Sequence, residues 1–271
     1  MVTLSPLVSI LLFLPPFATM LFLPIPTVVS LFIVLGQGHF IGAYIYQFLA
    51  GRLAWWKVVL YASLFVLLWA MFINTRSLNL LLALTAVVFS AHFIWDSSRI
   101  LGNRELLPAV ITRLPPFMFF SAFVVERIYG TQLILFATLF TVLMFGVYIF
   151  CIALKRFRYD ASDLLFIGGT FGFWLLITIN QNLSTWIAFG FIILYHYIQW
   201  YVFYWKRCAN DKEKLHKYIR NILISNAVAI LAFFFWKISN TSGVMKYFFE
   251  PEYFYLWTLV HIVSCIRFKY H

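Results

Sequence analysis

The sequence predicts an all-α bundle of eight to ten transmembrane helices, and three observations predict it. First, 63% of the 271 residues are hydrophobic and 11% are charged, with a mean hydropathy of +0.91. A soluble domain is nearer half apolar and a quarter charged. Second, the apolar residues gather into ten runs of about the 20 residues that a spanning helix needs. Third, 16 of the 20 Lys and Arg residues fall in one set of loops. These are Arg52, Lys57, Arg99, Arg104, Arg113, Lys155, Arg156, Arg158, Lys206, Arg207, Lys212, Lys214, Lys217, Arg220, Arg267 and Lys269, after the even-numbered runs and at the C-terminus. Arg76, Arg127, Lys237 and Lys246 fall on the other side. The positive-inside rule gives such a split for a correct segment count and puts the C-terminus in the cytoplasm.

The first run, Pro6 to Leu23, contains Pro15-Pro16 and is expected to be kinked or re-entrant within residues 1–26. The second, Thr27 to Leu49, carries Gly36-Gln37-Gly38-His39 at its middle, where the glycines let a neighbouring helix come close. Val58 to Asn74 and Leu78 to Asp96 follow. The fifth, Leu106 to Val125, is interrupted by Pro108 and Pro115-Pro116 and is expected to be broken or partly interfacial. Gln132 to Leu154 is uniformly apolar, and Ala161 to Ile179 has a thin face of Gly168, Gly169 and Gly172. Ser184 to Trp205, Tyr218 to Trp236 (with Asn226 near its centre) and Glu252 to Phe268 complete the set. The longest polar stretch, Lys206 to Lys217, reads as a basic cytoplasmic loop, so residues 1–271 form a single integral membrane domain.

Several functions are excluded. The net charge of +11 lies in short loops, where it sets topology and meets anionic headgroups. No basic-aromatic module points to nucleic acid. Cys151, Cys208 and Cys265 are far apart and form no CxxC, which argues against a disulfide framework or a zinc ribbon. The N-terminus lacks the basic region of a signal peptide and reads as retained in a plasma or bacterial inner membrane protein. The 32 Phe, 15 Tyr and 10 Trp suit lipid-facing surfaces, and equally a pocket for a long apolar ligand.

Four apolar runs carry one histidine each: His39, His92, His196 and His261. All four runs are even-numbered and therefore parallel. Counted from the segment starts, the histidines lie within roughly 8 Å of one another in depth. A single membrane histidine can satisfy itself on a neighbouring carbonyl or hydroxyl. Four at one depth suggest a shared metal site, because imidazole suits iron, copper, zinc and nickel. His216 and His271 read as solvated. Asp96, one turn beyond His92, either orients that imidazole or pairs with Arg99 at the helix end; Gln199 stands three residues after His196. Tyr195, Tyr197 and Trp200 either line the site or pack the helix.

The stretch His92-Phe93-Ile94-Trp95-Asp96, with His39 before it and His196 after it, resembles the Brp/Blh family of membrane β-carotene 15,15′-dioxygenases. The resemblance implies a polytopic fold, a ferrous ion on His39, His92 and His196, and oxidative cleavage of a carotenoid to retinal. Two features depart from that family. His39 is followed by Phe-Ile-Gly-Ala rather than Gly-x-x-Asp, and Trp200 stands where the family has a second histidine, leaving His261 as a substitute.

Two rivals remain open at the level of sequence. One haem held by two histidines fits the pattern, although two-haem cytochromes place two histidines on each of two helices. A transporter or a non-catalytic membrane protein also fits, with the broken first and fifth runs, Gly168-Gly169 and Asn226 lining a path. The membrane runs offer no carboxylate suited to proton coupling. The oligomeric state is not encoded in any motif.

Overall fold

The computed structural model describes residues 5–12, 14–49, 51, 53–101, 106–158, 163–164, 166–172, 185–239 and 243–265. Among them the regular structure is helical and no strand occurs. The helices are α1 (Pro6–Leu11), α2 (Leu14–Phe22), α3 (Ile25–Leu49), α4 (Trp55–Leu68), α5 (Leu78–Leu101), α6 (Leu106–Tyr129), α7 (Leu133–Ala153), α8 (Thr185–Cys208), α9 (Lys212–Ser239), α10 (Lys246–Phe249) and α11 (Pro251–Cys265). Residues 166–172 are also helical. Parts of the first, seventh, eighth and tenth expected runs (13, 161–162, 165, 173–179, Ser184 and 266–268) lie outside the described residues, as do Arg52, Arg104, Arg267, Lys269 and His271.

Five stretches among the described residues are long and apolar enough to cross a membrane: Ile25–Leu49, Trp55–Ile73, Leu78–Ser97, Leu133–Ala153 and Lys212–Ile238. Their surfaces agree with that reading. On α7, Leu135, Phe136, Leu139, Leu143 and Phe150 are exposed, and on α9 so are Leu223, Leu231, Phe234 and Phe235. Apolar surface on this scale calls for lipid or protein around it. The chain is an all-α membrane protein.

The prolines act differently in the two places where they were expected to break helices. Pro15 and Pro16 sit in the first turn of α2, where their missing N–H groups cost nothing. The nine residues of α2 rise only about 14 Å, so neither α1 nor α2 crosses the bilayer alone. Pro115 and Pro116 lie inside α6, yet α6 is continuous over 24 residues. The expected break is not there.

Contacts along the chain gather into two compact units. The first comprises Met1–Pro15 and Ala86–Phe189, and the second Pro16–Thr85 and Gly190–His271.

In the first unit, α6 turns into α7 at Gly130, whose φ of +68° favours glycine. Glu126 then accepts the N–H of Ile134 at 2.7 Å and caps α7. Buried beneath this hairpin is an ion pair. Arg113 Nη1 stands 2.6 Å from Asp163 Oδ1, with both side chains at most 5% exposed. Tyr148 donates to Asp163 Oδ2 at 2.8 Å, and Thr112 donates to Oδ1 at 3.1 Å. The Arg113 guanidinium lies 4.5 Å from the centre of the Phe166 ring. Arg113 is therefore not a loop charge and leaves the topology tally. Asp163, at the start of the seventh expected run, is a buried carboxylate that the sequence reading did not single out.

In the second unit, α11 is the core. Tyr253, Phe254, Tyr255, Leu256, Thr258, Leu259, Val260, His261 and Ile262 are all buried. Phe254 meets Phe32 and Phe40 of α3 at ring-centre distances of 5.6 and 5.7 Å, and Trp257 meets Phe65 of α4 at 4.6 Å. The last turn of α4 widens into a π-helix, Trp69–Ile73, with the Asn74 N–H reaching back to the Trp69 carbonyl. Helix α3 also packs on α9, and glycine makes this close. A Cβ on Gly38 would stand 2.5 Å from Asn226 Oδ1, and one on Gly36 would stand 2.6 Å from the Tyr197 hydroxyl. An added Cβ on Gly168, Gly169 or Gly172 meets nothing within 4 Å among the described residues.

The expected basic loop is mostly helix. Helix α8 runs on to Cys208 and α9 begins at Lys212. Asp211 caps α9 by accepting the Lys214 N–H at 3.1 Å. His216 is exposed, as expected.

Candidate metal centre

Three of the four histidines meet inside the second unit. Helix α3 supplies His39, α8 supplies His196 and α11 supplies His261. The His39 ring centre lies 5.0 Å from that of His261 and 5.8 Å from that of His196, with the ring planes near perpendicular in both pairs. His196 is 1% exposed and His261 4%. Two imidazoles that share an ion at about 2.1 Å from each ring nitrogen have ring centres roughly 4.5–6.5 Å apart. Both measured separations fall in that interval.

Aromatic rings fix the planes of these imidazoles. Tyr197 stacks on His39 at 4.8 Å, and Phe40 stacks on His261 at 4.6 Å. Tyr201 and Tyr44 meet His39 and His261 edge-on at 6.1 and 6.4 Å. Trp200 stands edge-on to His196 at 6.4 Å. Cys265, one turn beyond His261, brings its Sγ to 3.5 Å from His261 Nε2.

His92 belongs to the first unit. Its Nε2 lies 3.2 Å from Asp96 Oδ2, with both side chains nearly buried. Asp96 thus meets the imidazole four residues before it; the Arg99 side chain, its other expected partner, is outside the described residues. Gln199 is fully buried and donates to the Tyr195 hydroxyl at 3.3 Å. This bond ties Gln199 and Tyr195 to each other along one face of α8.

Sequence reasoning missed Phe40, Tyr44, Tyr201 and Cys265 around the histidines. Helical spacing held a signal for three of them. Tyr201 is one turn beyond Tyr197, Cys265 one turn beyond His261, and Phe40 adjoins His39. Tyr44 comes from the packing of α3 against α11, which no spacing encodes. In the first unit, Arg113 and Asp163 are single opposite charges in two apolar runs, and such charges are expected to find each other.

Fold and site define an all-α membrane protein with an aromatic-walled cluster of two buried histidines and one half-buried one. No family model, curated protein or solved structure matches the chain.

Proposed function

We propose that this protein is a membrane-embedded non-haem iron oxygenase that acts on a lipophilic substrate. Carotenoid cleavage to retinal is the specific reaction that the resemblance to the Brp/Blh family implies. The observation that supports this reading is the meeting of His39, His196 and His261 from three helices. All three donors are imidazoles, a set that suits ferrous iron and leaves coordination positions open. A ferrous ion, when bound, supplies the electrons that let dioxygen react with a polyene. The chain does the rest. His39, His196 and His261 would hold the ion through ring nitrogens of neutral imidazoles. Tyr197 and Phe40 hold two of the rings in plane by stacking. Buried aromatic walls exclude water and present an apolar face to a substrate arriving from the lipid. Three gathered histidines are more than one bis-histidine haem would need, which favours a compact ion. The protein would sit in a plasma or bacterial inner membrane with its C-terminus cytoplasmic.

A second reading, a non-catalytic membrane protein or transporter, draws on the Arg113–Asp163–Tyr148 network, because buried charges in membrane helices often mark transport paths.

Metal analysis of detergent-purified protein separates the two readings, with wild type beside His196→Ala, His261→Ala and His92→Ala. The oxygenase binds about one iron per chain, as expected of a single histidine-ligated site. It shows no Soret band, loses the iron in the first two variants and forms retinal from β-carotene under air. Retention of iron in His92→Ala would limit the ligand set to the second unit. A Soret band would replace iron by haem, and absence of metal in folded protein after ferrous reconstitution would leave the transporter reading.

A further inference from the structure

Asn74 to Ser77 connect two of the spanning stretches, Trp55–Ile73 and Leu78–Ser97. Both stretches are long and apolar enough to cross a membrane, so the short connector lies at a membrane face. Its Arg76 is exposed, and its backbone is left-handed, with a φ of +58° that bulky residues rarely adopt.

Beside this connector the second unit holds a cavity of about 490 Å³. Small-molecule sites run from roughly 300 to 1,000 Å³. Arg76 lines the cavity from the connector, and Glu250, Glu252 and Tyr253 line it from the start of α11. Arg76 makes no ion pair with either carboxylate among the described residues. Glu250 and Glu252 flank Pro251, the first residue of α11, where negative charge suits the helix dipole. That role does not account for Tyr253. This residue is 8% exposed, and its hydroxyl has no hydrogen-bond partner among the described residues. The hydroxyl is not sealed from the surface, so it opens into the cavity that Tyr253 lines. A phenol this deep usually has a partner.

We propose that this cavity binds the headgroup of a zwitterionic phospholipid with a primary ammonium, the phosphoethanolamine class. Phosphate oxygens accept from the Arg76 guanidinium and the Tyr253 hydroxyl, and the ammonium donates to Glu250 and Glu252. An anion alone would meet two carboxylates, and a cation alone would meet the arginine. A ligand that carries both charges suits both. The carboxylates favour a primary ammonium because it has N–H groups to donate. A quaternary ammonium is held instead by a cage of aromatic faces. Among the described residues Tyr253 is the one aromatic lining the cavity, and its ring already meets Tyr247 edge-on at 4.8 Å. A lipid suits the site better than a free zwitterion because of the membrane face. Leu78 lines the cavity and, like Leu80 and Leu84 further along α5, is exposed, which offers acyl chains an apolar surface. Tyr253 precedes His261 by about 12 Å along α11, so the site is distinct from the histidine cluster and stands whether or not that cluster holds iron.

The test uses full-length protein stripped of lipid in detergent, with soluble short-chain phospholipids as probes. Binding is read by native mass spectrometry and by the rise in melting temperature. Phosphatidylethanolamine binds more tightly than phosphatidylcholine or phosphatidylglycerol with the same chains. Arg76→Gly weakens that binding about tenfold or more, the scale of a lost charge-assisted hydrogen bond. The melting temperature of the lipid-free protein does not fall in this variant, because glycine adopts a φ of +58° readily. The double variant Glu250→Gln with Glu252→Gln loses the preference for ethanolamine over choline. Tyr253→Phe weakens binding about fivefold, the scale of one neutral hydrogen bond.

Equal affinity for the three lipids, or a preference that survives in the glutamine variant, overturns the headgroup assignment. Free phosphoethanolamine that binds as tightly as the lipid overturns the lipid source. Calcium that binds in place of the lipid, and is lost in the glutamine variant but not in Arg76→Gly, overturns the proposal in favour of a cation site.

Discussion

The two units bury polar groups in opposite ways. The first unit buries full charges and lets them cancel: Arg113 and Asp163 stand in contact, with Tyr148 and Thr112 bonded to the same carboxylate. The second unit gathers three imidazoles, which are neutral when they ligate a metal, and walls them with aromatic rings. A cancelled pair needs nothing further from outside. A set of nitrogen donors at such separations would, under the reading proposed above, hold a shared ion. The contrast is between charges that compensate each other and imidazoles that gather without a carboxylate among them, and it can be broken by experiment.

The largest effect is expected in the first unit. Replacing either member of a buried ion pair leaves the other charge uncompensated, at a cost of about 3–5 kcal/mol. Arg113→Ala and Asp163→Ala should each lose stability on that scale in detergent denaturation. The double variant Arg113→Met with Asp163→Leu should recover most of it, because no charge is stranded. Equal losses in the double and single variants would show that the network does more than cancel charge.

A smaller effect is expected at Gly38, next to His39. An added methyl would stand 2.5 Å from Asn226 Oδ1 and 3.2 Å from the Asn226 backbone, so α3 and α9 must separate. Overpacking of this kind costs about 1–3 kcal/mol. Gly38→Ala should lower the melting temperature and weaken iron retention together, since α3 carries His39. Iron retention at the wild-type level, with stability lost, would uncouple this helix contact from the cluster.

How much of this was legible depends on the range of the interaction. Helix existence follows from composition and run length, so α3, α5 and α7 appear in the sequence much as they fold. The Gly36-Gln37-Gly38 approach was readable because small residues in a membrane helix have one common use. Pro115 and Pro116 misled, because proline lowers helix propensity but packing can hold such a helix together. Arg113 misled for another reason: counting charges by position cannot tell a loop lysine from an arginine paired across fifty residues. The imidazoles could be nominated by type and depth. Their walls could not, because Tyr44 reaches His261 only through the packing of two helices far apart in sequence.

The smallest effect sharpens the comparison by supplying an ion pair without burial. Asp211 and Lys214 form a pair at 2.9 Å with exposed side chains, and Asp211 also caps α9. The hydrogen bond from the Lys214 side chain, followed by the bond from its backbone N–H, holds the Asp211 carboxyl below its ordinary value. A lowered value means that the contribution is fully present above the ordinary aspartate pKa, about 3.9, and is lost as pH falls through the lowered one. Asp211→Ala should therefore shift the melting temperature slightly at neutral pH, and the two melting curves should converge in acid. Arg113→Ala, measured beside it at neutral pH, should shift far more. If the two shifts were alike, burial would not be what gives the Arg113–Asp163 pair its weight, and the distinction between the units would have to rest on the imidazoles alone.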